Sequence, residues 1–451
     1  MKNIFKNISD KISNLSLNPP LVLLIGFALL ILSGACLLNL GAVTRSGESI
    51  GFINALFTAG SASCVTGLVV VNTAYHWNLA GQIIIISLIQ IGGLGIMTLA
   101  TMFPLVLRKR IGLQSRQILK EQLNLDTFSG IIRLLKYVIA FTFTVEGIGA
   151  LLLATRFIPR FGWIRGIWYS IFQSISAFCN AGFDNLGDSI YPWREDPVVN
   201  ITIMALVAIG GLGFLVTQEI LQKRKFKLLS VHGKLVLTIS GLLIFLGALF
   251  FFILEYSNPE TIGNESFPVQ VGQSFFQSVI SRTAGFYSVP LAGLRDSSAF
   301  LLIILMFIGG SPGSTAGGLK TTTFGVLIIT TISTIKGETD PVVFRKQIGS
   351  STIRKALALV VVGLILIISV SFLLTITEKA SFIDLVFETV SAYGTVGLSK
   401  GISPDLTSFG KFMITLTMYS GRVGPLTLGF AISNRTSPSK LHYPESNIAI
   451  G

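Results

Sequence analysis

Four glycines, Gly67, Gly182, Gly285 and Gly397, close four versions of one segment: FTAGSASCVTGL (57–68), FQSISAFCNAGF (172–183), FFQSVISRTAGF (275–286) and FETVSAYGTVGL (387–398). Each segment opens on Phe, reaches its glycine ten residues later and continues with Leu or Phe. The glycines lie 115, 103 and 112 residues apart, so the repeating object is a whole structural unit. No acid occurs among the three residues before any of them, which disfavours a carboxylate ring for calcium. What remains is the backbone. Rings of carbonyl oxygens can replace the hydration shell of a weakly hydrated monovalent cation. Carbonyls turn inward through conformations that glycine reaches at little steric cost. Small residues precede three of the glycines (Thr66, Ala181, Ala284), and Val396 is the larger exception.

Other chemistry is poorly provided for. Cys36, Cys64 and Cys179 have neither a disulfide framework nor metal-ligand spacing, and His76, His232 and His442 are scattered singly. No nucleophile–base constellation is visible, and no G-x-x-x-x-G-K-[ST] loop occurs, so an enzyme reading has nothing to carry it.

The elements that must position the four segments are apolar. The chain has 451 residues, 51% of them hydrophobic and 12% charged, with mean hydropathy +0.73. That is too few charges to coat a soluble globule, and the reading is a multi-pass membrane protein. After a polar start, MKNIFKNISDKISNLSLN, an apolar run extends from Leu21 to about Leu40, longer than a signal-peptide core, and reads as a retained membrane helix. The apolar runs pair as 20–44 with 80–107, 134–158 with 198–221, 235–256 with 298–335, and 356–378 with 408–432. Eight spans follow. The net charge of +13 gathers in the N-terminal segment and three linkers: LRKRIGLQSRQILK (107–120), QKRKFK (222–227) and the stretch holding Lys336, Arg345, Lys346, Arg354 and Lys355. By the positive-inside rule these linkers and both termini are expected in the cytoplasm, which accounts for the basic excess without nucleic acid. All units then run in parallel. The expected boundaries are a cytoplasmic segment 1–19, repeats at 20–110, 111–225, 226–345 and 346–432, and a cytoplasmic tail 433–451. Each repeated segment is too short to span and breaks at its glycine, so it reads as a re-entrant loop, tolerated at membrane depth only where it is buried or lines an aqueous path.

The expected fold class is therefore an all-α membrane protein of four parallel helix–re-entrant loop–helix repeats around one pseudo-fourfold pore. Thr395-Val396-Gly397 also begins the TVGYG signature of potassium filters, but it is spelt only once here. With CVTGL, CNAGF, RTAGF and TVGL at its loop turns, the chain resembles the Trk/Ktr/HKT superfamily of potassium transporters over nearly its whole length. It looks most like the KtrB group of bacterial membrane subunits, because all four loops keep glycine and no additional N-terminal pair of spans is seen. The resemblance implies potassium uptake across the bacterial plasma membrane through one pore per subunit. It also implies a homodimer and a cytoplasmic ring of RCK-domain regulatory subunits, which alone bind nucleotide. Potassium is the implied ion and sodium the second candidate, as is a sodium-coupled secondary transporter on the same scaffold. Whether sodium stimulates uptake stays open. The positions carried over as the filter are Cys64, Val65, Thr66 and Gly67; Cys179, Asn180, Ala181 and Gly182; Arg282, Thr283, Ala284 and Gly285; and Gly394, Thr395, Val396 and Gly397. Cys64 and Cys179 are expected to pack behind the filter. The Arg282 guanidinium is expected to face away from it and brace the loop against a carboxylate or carbonyls.

The second span of unit three is interrupted by GGSPGSTAGGLKTTT (309–323), more than an ordinary Pro/Gly kink. The resemblance makes this an intramembrane gate below the filter, comprising Gly309, Gly310, Ser311, Pro312, Gly313, Ser314, Thr315, Ala316, Gly317, Gly318 and Lys320. Arg422, at the place matching Gly93, joins the gate as a membrane-embedded charge that is functional by default. It is expected to face the cavity below the filter or tether the loop; the alternative is an ion pair with Glu146 or Glu219. The other repeated glycines, Gly92, Gly210, Gly309 and Gly421, serve either the pore or close helix packing.

Overall fold

The computed structural model describes residues 19–95, 131–338 and 340–424. The N-terminal segment, the linker at 107–120 and the tail at 433–451 lie outside them, as do the ends of two second spans, 96–107 and 425–432. Unit one contains α1 (Pro19–Leu38), α2 (Phe52–Cys64) and α3 (Leu79–Leu94). Unit two contains α4 (Ile131–Phe161), α5 (Trp163–Phe178), α6 (Pro197–Gly211) and α7 (Phe214–Lys223). Unit three contains α8 (Val231–Glu255), α9 (Phe267–Ile280), α10 (Asp296–Phe307) and α11 (Thr321–Ile335). Unit four contains α12 (Ser350–Thr377), α13 (Phe382–Gly394) and α14 (Ser408–Val423). A two-residue hairpin pairing Val342–Val343 with Lys346–Gln347 is the single sheet among the described residues.

The first helix of each unit (α1, α4, α8, α12) is long and apolar enough to cross a membrane. Leu151, Phe245 and Ile368 stand exposed on them, as expected of surfaces facing lipid acyl chains. The helices α2, α5, α9 and α13 have 13, 16, 14 and 13 residues, short of a span at about 1.5 Å per residue. Three second helices start on oxygen caps. Asn78 accepts from Gly81 N–H at 3.1 Å, Thr407 from Gly410 N–H at 3.1 Å, and Asp196 from Val198 and Val199 N–H at 2.9 and 3.2 Å.

The second helices stop early, and not only in unit three. α3 ends at Gly95 (φ 85°, ψ 139°), the α6–α7 pair bends by 101° at Gly213 (φ 92°, ψ 136°), and α14 ends at Gly424 (φ 93°, ψ 132°). From the sequence a break is expected in unit three alone. The physical reason is the glycine that closes each of GGLG (92–95), GGLG (210–213) and GRVG (421–424), held at a positive φ that L side chains rarely adopt.

Ring closure is visible in the packing. α3 lies against α5, α6 against α9, α10 against α13, and α14 returns to α2. The repeated glycines pack helices closely, as the structural alternative held, but the surface they meet belongs to the short helices that carry the glycine loops. A Cβ on Gly92 would collide with the Ser63 carbonyl, one on Gly210 with the Phe178 carbonyl, and one on Gly421 with the Tyr393 carbonyl. Replacing Gly421 by Ala should therefore destabilise the fold by about 1–3 kcal/mol, typical of overpacking. A thermal melt of the detergent-solubilised protein reads this as a lowered midpoint. Gly241→Ala on α8, where a Cβ meets nothing within 4 Å, should leave the midpoint unlowered.

Candidate functional site

At the end of each short helix the chain takes the same turn. Val65 (φ 59°), Asn180 (φ 61°), Thr283 (φ 76°) and Thr395 (φ 49°) are left-handed, and two residues later so are Gly67 (φ 100°), Gly182 (φ 69°), Gly285 (φ 68°) and Gly397 (φ 91°). Three of the four non-glycines are β-branched, for which this region is a true outlier, unfavourable by roughly 1–2 kcal/mol each. Such strain persists only where the surroundings over-determine it. The surroundings here are a ring. A Cβ on Gly67 would lie 2.5 Å from the Ala181 carbonyl oxygen, and one on Gly182 would lie 2.8 Å from that of Ala284. One on Gly285 would lie 2.7 Å from the Val396 oxygen, and one on Gly397 would collide with the Thr66 oxygen. The four turns thus meet in the order of the units, and no position in the ring has room for a side chain.

The N–H groups of these turns point back into the helices. Thr66, Ala181 and Val396 N–H donate to the carbonyls of Ser61, Ser176 and Ser391 at 2.8, 2.7 and 2.8 Å, and Ala284 N–H donates to the Ile280 carbonyl at 3.0 Å. Gly67 and Gly397 N–H donate to the Ser61 and Ser391 hydroxyls at 3.0 and 3.1 Å. With these six donors engaged behind, acceptors outnumber free donors at the ring. The C-terminal, partially negative ends of α2, α5, α9 and α13 run into it, which favours a cation. The serines and the left-handed residues went unnoticed in the sequence. Ser six residues before the glycine in three of four segments was a readable signal, as was Asn180, a type that tolerates a positive φ; nothing in Val or Thr announces one.

Cys64 and Cys179, the first residues of the first and second turns, are fully buried. Arg282 is buried too, and it braces the third turn against a hydroxyl and carbonyls, with no carboxylate in reach among the described residues. Its guanidinium reaches the Ser240 carbonyl at 3.4 Å, the Ser240 hydroxyl at 3.2 Å and the Gly309 carbonyl at 3.5 Å.

Between α10 and α11 the chain runs non-helically from Ile308 to Lys320 and packs against the turns of units three and four, at Thr283, Gly394 and Thr395. The break in α6 orphans its last carbonyls, and this loop caps them. Ser311 N–H donates to Gly211 at 2.9 Å, Thr315 N–H to Gly210 at 3.2 Å, and the Thr315 hydroxyl to Phe178 at 3.1 Å. Gly317 lies against Thr395 with no space for a Cβ, and a Cβ on Gly318, at φ 64°, would lie 3.1 Å from the Gly394 Cα. Lys320 folds back on the Ala316 and Gly317 carbonyls at 2.8 and 3.4 Å, and the Ser311 and Thr321 hydroxyls meet at 3.0 Å. Gly309 and Gly310 lead into the loop, and Ser314 donates to the Ser311 carbonyl at 2.7 Å. Phe214 N–H donates to Gly313, and Pro312 packs against Gly213.

Arg422 spans two walls. It donates to the Thr315 carbonyl of the loop and to the Gly92 and Gly93 carbonyls left open where α3 breaks. Neither acid of the alternative reading reaches it, since Glu146 is bonded by Gln90 and Glu219 by Lys223 and Ser230. Among the described residues no group of three His, Cys, Asp or Glu could hold a metal ion.

A family model described as TrkH, cation transport protein, matches residues 23–439. The potassium/sodium uptake protein NtpJ of Enterococcus hirae is 44% identical over 96% of this chain and 98% of its own length. The Ktr system potassium uptake protein B of Bacillus subtilis is 44% identical over 96% of this chain and 97% of its own length. The crystal structure of the potassium transporter TrkH from Vibrio parahaemolyticus is 18% identical and superposes with a TM-score of 0.73, covering 93% of this chain and 86% of that one. It is a likeness of fold.

Ser391→Ala would leave the Gly397 N–H buried without its acceptor, a loss of about 1–3 kcal/mol at the ring. Paired potassium and sodium flux measurements in proteoliposomes should show a lower potassium-to-sodium ratio. An unaltered ratio would remove Ser391 from the account of the site.

Proposed function

This chain belongs to the TrkH family of cation transport proteins, and on that premise we propose that it is the membrane subunit of a Ktr-type system that takes up potassium across the bacterial plasma membrane. The observation that carries the reading is the closed ring of Gly67, Gly182, Gly285 and Gly397, each two residues after a left-handed residue. Oxygens crowded there, with N–H groups withdrawn, suit a dehydrated monovalent cation. Uptake proceeds through a channel-like pore, driven by an inside-negative potential at roughly 2.3 kcal/mol per charge per 100 mV. Sodium is the second reading, supported by the potassium/sodium name of the Enterococcus hirae relative. Potassium is preferred because the first loop ends on Gly67 rather than the serine that accompanies sodium in plant relatives.

The segment 309–318, Lys320 and Arg422 form the gate in this proposal. The support is positional: Arg422 holds the loop by Thr315 while gripping α3, so releasing either contact frees the path below the ring. The complex is a homodimer with a cytoplasmic RCK-domain ring that binds the nucleotide, and both termini are cytoplasmic.

The deciding experiment is potassium-limited growth of an uptake-deficient bacterium expressing this chain, with and without a regulatory subunit. Growth should be rescued; no rescue in either case, despite good expression, would count heavily against the reading. Deleting residues 311–317, or Arg422→Ala, should raise ion flux in proteoliposomes, and unchanged flux in both would sink the gate. Gly397→Ser should loosen potassium-over-sodium discrimination before it abolishes flux.

A further inference from the structure

Resting on the potassium reading, we propose that Glu146 is a positioning residue for the second quarter of the filter, acting through Cys179. Glu146 lies on α4 and is 5% exposed, yet no Lys or Arg among the described residues forms an ion pair with it. A carboxylate in such a place is retained for a purpose other than filling space. The pseudo-symmetry makes the same point. Gly34, Gly149 and Gly247 occupy equivalent places on α1, α4 and α8, seated against Leu88, Leu206 and Leu305. Each of those leucines stands four residues before the repeated glycine of its unit, Gly92, Gly210 or Gly309. Three residues before the seated glycines the chain has Ile31, Glu146 and Ile244. The fold accepts an aliphatic side chain at this site twice, and only unit two has an acid.

What the acid meets is the filter. Gln90 of α3 donates its amide N–H to both Glu146 oxygens, at 3.1 and 3.4 Å. The Cys179 thiol lies 3.9 Å from Glu146 Oε1 and 3.7 Å from Gln90 Oε1. Gly93 closes the third side, where an added Cβ would be 2.8 Å from Cys179 Sγ. Cys179 is the first residue of the second turn and immediately precedes the left-handed Asn180. The equivalent Arg282 is held by Ser240 and Gly309, and the equivalent Gly394 lies against the Met306 carbonyl. Each of these turns is anchored differently, and the anchor of unit two is the slot that Glu146 and Gln90 draw closed around Cys179. That clamp joins α4 to α3, the helix whose end Arg422 grips.

The test is the potassium-to-sodium flux ratio in proteoliposomes, which does not depend on how much protein is folded. Glu146→Ile installs the residue that units one and three use, so packing is kept and the clamp is lost. The ratio should fall on the order of tenfold, the usual effect of removing an outer partner that orients ion-binding groups. Gln90→Leu should fall equally far, and the double variant no further, because both break one link. Glu146→Gln, which can still accept from Gln90, should keep the ratio near that of the unaltered protein. An unchanged ratio in Glu146→Ile would overturn the proposal. So would a fall in Glu146→Gln as large as in Glu146→Ile, which would make the charge rather than the position the determinant. If Glu146→Ile fails to fold, Gln90→Leu against Glu146→Gln decides in the same way. Failure of the unaltered protein to carry potassium at all would instead strike the functional reading.

Discussion

Backbone polar groups freed inside an apolar surrounding must find partners, and the centre of this protein is organised by that requirement. Glycine breaks shorten the second helices, and each break leaves helix-terminal carbonyls without N–H donors. At α6 the donors come from the loop after α10, through Ser311 and Thr315. At α3 they come from the guanidinium of Arg422. The loop has open carbonyls of its own, at Ala316 and Gly317, which Lys320 takes. At the ring the problem is reversed: the N–H groups of Thr66, Gly67, Ala181, Ala284, Val396 and Gly397 are satisfied by the short helices, and the carbonyls of Thr66, Ala181, Ala284 and Val396 crowd the glycines.

The same requirement explains how four unlike sequences form one ring. The turn geometry is common to all units, but the anchors are not. Ser61 and Ser391 hold the first and fourth glycine N–H groups by their hydroxyls, while Ser176 turns its hydroxyl to Phe183 and unit three has Val279 at that place. Arg282 and Cys179 occupy equivalent positions with opposite chemistry around them. A fourfold channel of identical chains has no such freedom. Here one quarter can carry the non-helical loop 308–320, another the arginine that ties it, and a third a buried acid. The ring stays closed because its tight contacts are made by backbone and glycine.

The sequence alone made much of this legible, for identifiable reasons. The Phe-to-Gly spacing marked the four turns because glycine at a positive φ beside another backbone admits no substitute. The long apolar runs marked the first helices because lipid-facing surfaces have no alternation to hide them. The interruption at 309–323 was visible because proline and glycine gathered where a helix was due. Bracing of Arg282 was expected in kind, but Ser240 was not named, since that contact joins residues 42 positions apart. Glu146 entered only as a possible partner of Arg422, and the structure gives it a different neighbourhood.

What the sequence determined by itself is local and steric: where the chain can cross lipid, where the four short segments and unit three break, and where the four loop glycines fall. Those follow from hydropathy and from conformations open only to residues without a Cβ. Tertiary structure alone decided the left-handed state of Val65, Thr283 and Thr395, because a β-branched residue has no local preference for it and the closed ring holds it; Asn180, of a type that visits this region more readily, is held in the same ring. It also decided that Arg422 serves α3 and the loop rather than an acid, and that Glu146 and Gln90 enclose Cys179. These are contacts between elements far apart in the chain, made when four packed units bring their unsatisfied groups to one axis.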